Sequence, residues 1–147
     1  MANPKISWQV FEDEYDEYIP VRSYTDEGSY TNGQTIYKRI RVWNNYAGIQ
    51  NVNDIKDCNL ILAFKNFEDN FLLHLINVRI NGGEFIPPLI DTDKGVIELG
   101  DLSGLANDGS TANSSNFYDI EFKIGPLPFN MRCELKSLYF YLEYKEE

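Results

Sequence analysis

Five carboxylates crowd one short stretch, FEDEYDEY at 11–18: Glu12, Asp13, Glu14, Asp16 and Glu17. Carboxylates in pairs can serve as general acid and base or hold a hard cation. Neighbours in an extended segment point to opposite faces, so only Glu12, Glu14 and Asp16 can converge. An uninterrupted run of one charge reads first as a solvated, self-repelling loop. A second acidic stretch, DTDKGVIE at 91–98, begins like a calcium loop, with Asp91 and Asp93 at alternate positions and then Gly95 and Glu98. The further oxygen ligands and the bidentate Glu at the twelfth loop position are missing. It therefore reads as a turn between strands, with Asp-Lys-Gly as its tip.

The remaining reactive side chains are few. His74, the one histidine, lies in FLLHLI with no cysteine nearby and no G-x-S-x-G pattern, which suits a packed, hydrogen-bonded ring better than a base. Cys58 and Cys133 sit in apolar strand-like runs, DCNLILAF and RCELKSLYF, where a free cysteine acts as a small buried hydrophobe. A single disulfide between them stays open as an alternative, and a Cys/His zinc site would have to be completed by carboxylates. Gly82-Gly83 has no lysine after it and does not make a phosphate loop. The expectation is a non-enzyme with no catalytic residues, no metal and no cofactor.

Whatever these residues do, strands must position them. The chain has 147 residues, 43% hydrophobic and 14% aromatic, enough for one domain spanning 1–147 that hides roughly 68–70% of its unfolded surface. Ten Tyr and nine Phe favour a pleated surface over a helix. Strand candidates follow one another: KISWQVF (5–11), EYIPVRSY (17–24, with Pro20 marking an edge), TIYKRIRVW (35–43), CNLILAFKNF (58–67), FLLHLINVRI (71–80), GVIEL (95–99), FYDIEFKI (117–124) and ELKSLYFYLEY (134–144). In 35–43, Ile36, Ile40 and Val42 share one face and Tyr37, Arg39 and Arg41 the other. In 117–124 the apolar set is Tyr118, Ile120, Phe122 and Ile124; in 134–144 it is Leu138, Phe140, Leu142 and Tyr144. Period two means one buried and one wet face, the signature of antiparallel sheets. The 58–67 run is nearly continuous hydrophobe, as in a strand covered on both sides. Asn32-Gly33 and Asn81-Gly82-Gly83 supply turns. Only NVNDIKD (51–57) suits a helical turn, and SGLANDGSTANSSN (103–116) reads as a mobile polar loop. The fold class expected is all-β: an antiparallel β-sandwich of about seven to nine strands, Ig-like or jelly-roll.

One junction stands out. The strand TIYKRIRVW ends on Asn44-Asn45 rather than on Gly or Pro. Asparagine tolerates the left-handed region and can bond local backbone through its amide. Trp43 before the pair would plug the sandwich end, its indole N–H seeking a partner, and Asp54 would cap the turn that follows. The competing reading makes Trp43 and Tyr46 an exposed aromatic platform, with the two amides bonding a ligand. Trp43, Asn44, Asn45, Tyr46 and Asp54 are the candidate interaction corner.

The same segment, KRIRVWNNYAGIQNVNDIKDCNLIL (38–62), resembles part of the small accessory β-domains found in structural proteins of tailed bacteriophages of Gram-positive hosts. The resemblance rests on Arg41, Val42, Trp43, Asn44, Asn45, Gly48, Asp54 and Leu60. It implies a virion protein without a catalytic centre that packs against itself or a shell. It transfers no functional residue beyond this fold-shaping set.

Charge narrows the partners. A net charge of −10 and a pI near 4.5 repel phosphate backbones and anionic membrane surfaces, so neither nucleic acid nor membrane is expected. MANPKISWQVFEDEYDEY has no basic stretch leading into an apolar run, and the apolar runs are strand-sized, which points to a soluble product of the host cytoplasm. The expectation is a capsid decoration or tail/baseplate component held by protein–protein contacts with other virion proteins, itself included as a homo-oligomer. The alternative is a carbohydrate-binding module that stacks sugar on Trp43, Tyr46 and the tyrosines from Tyr15 to Tyr30.

Overall fold

The computed structural model describes residues 2–21, 29–30, 35–112, 115–126, 133–134 and 138–146. The Asn32-Gly33 turn lies outside these. The described elements, in chain order, are β1 (Ile6–Glu12), β2 (Glu17–Val21), β3 (Ser29–Tyr30), β4 (Ile36–Asn44), β5 (Ile55–Phe64), a 3-10 helix (Phe67–Leu75), β6 (Ile76–Ile80), β7 (Leu89–Asp91), β8 (Lys94–Leu102), β9 (Phe117–Ile124), β10 (Cys133–Glu134) and β11 (Leu138–Glu146).

Two antiparallel sheets make a β-sandwich. One has five strands in the order β2-β1-β4-β9-β6; the other has four, β11-β5-β8-β7; β10 and β3 form a small pair. From β4 onward, the three-residue β7 aside, successive strands in these two sheets alternate between them: β4, β6 and β9 on one side, β5, β8 and β11 on the other. β7 and β8 are consecutive in one sheet, and Ile86 adds an isolated antiparallel bridge to Val78 of β6.

Alternation in the sequence accounts for the core. Ile36, Ile40 and Val42 of β4 and Ile120, Phe122 and Ile124 of β9 face Leu60, Leu62 and Phe64 of β5 and Leu138 and Phe140 of β11 across the core. Pro20 sits in β2, an edge strand, where its missing N–H interrupts no ladder. β5 is covered on both faces: Ile61 on its outward side is as buried as Leu60 and Leu62 on its inward side.

Five expectations are corrected. The first half of FLLHLINVRI is 3-10 helix, not strand; Leu72, Leu73 and Ile76 reach the core while Phe71 and His74 are exposed, a helical spacing within an apolar run. His74 is thus not packed. NVNDIKD makes no helical turn, because its backbone is taken by neighbours: Val52 N–H donates to Gly104 at 2.8 Å and Asn53 N–H to Ala2 at 2.9 Å. Tyr144 leaves the core row at a bulge between Glu143 and Lys145 and is exposed. The turn at 91–94 has Thr92-Asp93 as its tip, since Asp91 already pairs with Lys94.

Candidate functional site

Trp43 lies on the outward side of β4, yet is only 1% exposed. Phe117 stacks on it at 4.6 Å and Tyr46 meets it edge-on at 4.8 Å. Its Nε1–H donates to Gln9 Oε1 at 2.8 Å, which satisfies the one polar atom that burial would otherwise orphan. The two asparagines behind it are buried as well. Asn44 accepts from Lys5 N–H at 3.0 Å and donates to the Asn53 carbonyl at 3.0 Å. Asn45 adopts φ 63°, the left-handed region asparagine tolerates. Its Nδ2 donates to the carbonyls of Gln50 at 2.8 Å and Gly104 at 3.0 Å.

The Gln50 contact closes the corner locally, while those to Lys5 and Gly104 reach across the chain, beyond what a self-bonding corner would make. Asn116 returns the contact from the far end of the polar loop, donating to Ser103 at 2.8 Å and to Asn44 at 3.1 Å. Asn107 donates to the Asn45 carbonyl at 2.7 Å. Asp54 caps no local turn; its Oδ1 accepts from Gly104 N–H at 2.7 Å. The mobility expected of the 103–116 loop therefore meets a limit at its stem, where residues 103–107 and Asn116 are tied to β4 and to the segment before β5.

The corner is a structural knot. Burial removes Trp43 as a sugar-stacking ring and turns both amides inward, so the platform reading is overturned for Trp43, Asn44 and Asn45. Tyr46 remains partly exposed. Beside it the knot displays Leu105 and, 93% exposed, Ile49.

Titratable groups elsewhere show no convergence. Glu12, Glu14 and Asp16 are exposed around the β1–β2 turn, and among the described residues no three His, Cys, Asp or Glu side chains come together as a metal site. Cys58 is a free, buried thiol, pushed up to about 11 by burial and by the nearby carboxylates of Asp101 and Asp57; the side chain of Cys133 lies outside the described residues. Burial also raises Tyr118, whose hydroxyl donates to the Asp101 carbonyl at 2.8 Å. No helix among the described residues is long and apolar enough to cross a membrane.

The chain matches no family model, no curated protein and no solved structure. Its own surface is therefore the guide.

That surface holds a feature sequence reading missed. On the face of the four-stranded sheet turned away from the core, Tyr141 pairs with Ile61, Ile61 with Val96, and Val96 with Leu89. One apolar row thus crosses all four strands. Leu89 at its edge is 73% exposed. Lys94 and Glu143 form an ion pair at 3.5 Å beside the row, and that carboxylate raises the Lys94 pKa. The signal was in the sequence: NLILAF and LYFYLEY put apolar side chains on outward positions as well as inward ones. Only the pairing showed that they line up.

Proposed function

We propose that this chain is a non-enzymatic structural component of a virion, a capsid decoration or tail/baseplate accessory protein. It works by protein–protein contact with neighbouring subunits in a symmetric assembly. The observation that carries this reading is the apolar row Tyr141–Ile61–Val96–Leu89, whose ends Tyr141 and Leu89 stay exposed either side of the buried Ile61 on a face that a freestanding sandwich would leave polar. A polar rim beside an apolar centre is how protein interfaces are built. The Ile49 and Leu105 tips, held by the knot, add a second contact. Support for placing the assembly in a virion is the resemblance of residues 38–62.

The occupant proposed for the row is a neighbouring structural subunit. The test is mass spectrometry of purified particles from the source of the gene, followed by re-addition of recombinant protein to particles lacking it. Binding in a fixed copy ratio, lost in Leu89→Asp, supports the reading. Absence from every particle fraction, or binding indifferent to Leu89→Asp, overturns it.

A further inference from the structure

The outward face of the five-stranded sheet carries a different chemistry. Arg39, Arg41 and Arg79, all the arginines among the described residues, converge with Tyr18, Asp119 and Glu121 on one open cleft of about 230 Å3. Register brings them together: Arg41 pairs with Asp119, and Glu121 lies between Arg39 and Arg79. Each guanidinium carbon sits over a ring. Arg39 is 3.7 Å from the centroid of Phe11, Arg41 3.6 Å from that of Tyr18 and Arg79 4.5 Å from that of Phe85. A cation held over a ring face is attracted by the ring's quadrupole and keeps N–H groups available to bond.

The charges do not cancel. Arg41 pairs with Asp119 through Nε, and Arg79 with Glu121 through one terminal nitrogen. Arg39 makes no ion pair among the described residues, and the buried Nε of Arg79 has no hydrogen-bond partner. Three guanidinium groups thus face two carboxylates, on a chain whose net charge is −10. The cleft is a local excess of positive charge with N–H donors left over.

The chain also holds a group that fits. The β1–β2 turn carries Glu12, Asp13, Glu14, Asp16 and Glu17, all exposed. Its backbone is shaped by bonds from Tyr15 N–H to Glu12 at 3.2 Å and from Asp16 N–H to Asp13 at 3.4 Å. None of the five carboxylates makes an ion pair among the described residues. We propose that the acidic turn of one copy docks into the arginine cleft of a second copy, carboxylate against guanidinium. Overall repulsion between two acidic chains is screened beyond about 8 Å at physiological ionic strength, so the opposed patches in contact decide the orientation. Turn and cleft adjoin on each copy, Tyr18 following the turn and lining the cleft, so a reciprocal exchange closes a two-fold dimer and one-way docking gives a ring or an open row. The contact does not depend on the apolar row or on the virion reading.

The test is a charge swap read by sedimentation equilibrium on the full chain at physiological ionic strength. The weight-average mass of the unaltered protein should rise with concentration. Arg39→Glu and Glu14→Lys should each abolish the rise, both positions being exposed and outside the core. An equimolar mixture of the two variants should restore it, because the swapped turn then meets the swapped cleft. Arg39→Ala, with circular dichroism unchanged, serves as the milder variant and should weaken association. A constant monomer mass for the unaltered protein, or variants that associate as it does, would overturn the proposal. So would a mixture that stays monomeric.

Discussion

Asn45 folds its carboxamide into the space that a side chain at position 48 would need: a Cβ built on Gly48 would lie 2.0 Å from Asn45 Oδ1. Gly104 is closed off in the same knot, where a Cβ would come within 2.1 Å of the Val52 carbonyl oxygen. Both glycines are required by close approach rather than by an unusual φ. Overpacking of this kind costs roughly 1–3 kcal/mol. Gly48→Ala and Gly104→Ala should therefore lower the urea midpoint, with Gly104→Ala the worse, since backbone yields less than a side chain. Gly82→Asn is the control: nothing lies within 4 Å of a Cβ there, and its φ of 74° is one asparagine tolerates.

Asn45→Asp would place carboxylate oxygens against the carbonyls of Gln50 and Gly104 that now receive Nδ2–H. Stranding a buried polar group costs about 1–3 kcal/mol, and more when it is charged. The variant should be markedly less stable at neutral pH and recover part of the loss in mild acid, as the new carboxyl takes up a proton. Denaturant titrations at two pH values decide it. Equal stability of variant and parent would mean that the corner does not rest on this amide.

Gln9→Leu removes the partner of the Trp43 indole and leaves a buried N–H unpaired. A loss of roughly 1–3 kcal/mol is expected in chemical denaturation. Far-ultraviolet circular dichroism should stay unchanged, because Phe117 and Tyr46 still enclose the ring.

The Cys58 thiol titrates in the folded protein near 11, above its ordinary value, because burial and nearby carboxylates disfavour the thiolate. A folded pKa raised above the unfolded one means stability fully present below the unfolded pKa and lost as pH rises through the folded pKa. This contribution should fade between about pH 9 and 11. In a Cys133→Ser background, Cys58 should react with a disulfide reagent at pH 8 only once denaturant has opened the sandwich. Fast labelling of the native state would contradict its burial.

Leu89→Asp and Ile49→Asp should each leave the denaturation midpoint within about 0.5 kcal/mol of the parent, as expected of substitutions at exposed positions. Both should impair binding to isolated particles. A variant that binds as well as the parent would remove its surface from the assembly contact.

Alternation in TIYKRIRVW and FYDIEFKI was enough to assign β4 and β9 their inner faces, because a strand turns successive side chains to opposite sides whatever lies beside it. Burial of Cys58 and a left-handed Asn45 were legible for equally local reasons. FLLHLINVRI misled because a short apolar run fits a strand and a 3-10 turn alike. Tertiary structure decided what period two cannot: which outward residues become neighbours. Trp43 sits on the outward face and is buried in part because Phe117, from a strand distant in sequence, stacks on it. The same registers gather Arg39, Arg41 and Arg79 around one cleft and align Tyr141, Ile61, Val96 and Leu89 into one row. Local pattern chooses the face; pairing between distant strands chooses the company kept on it.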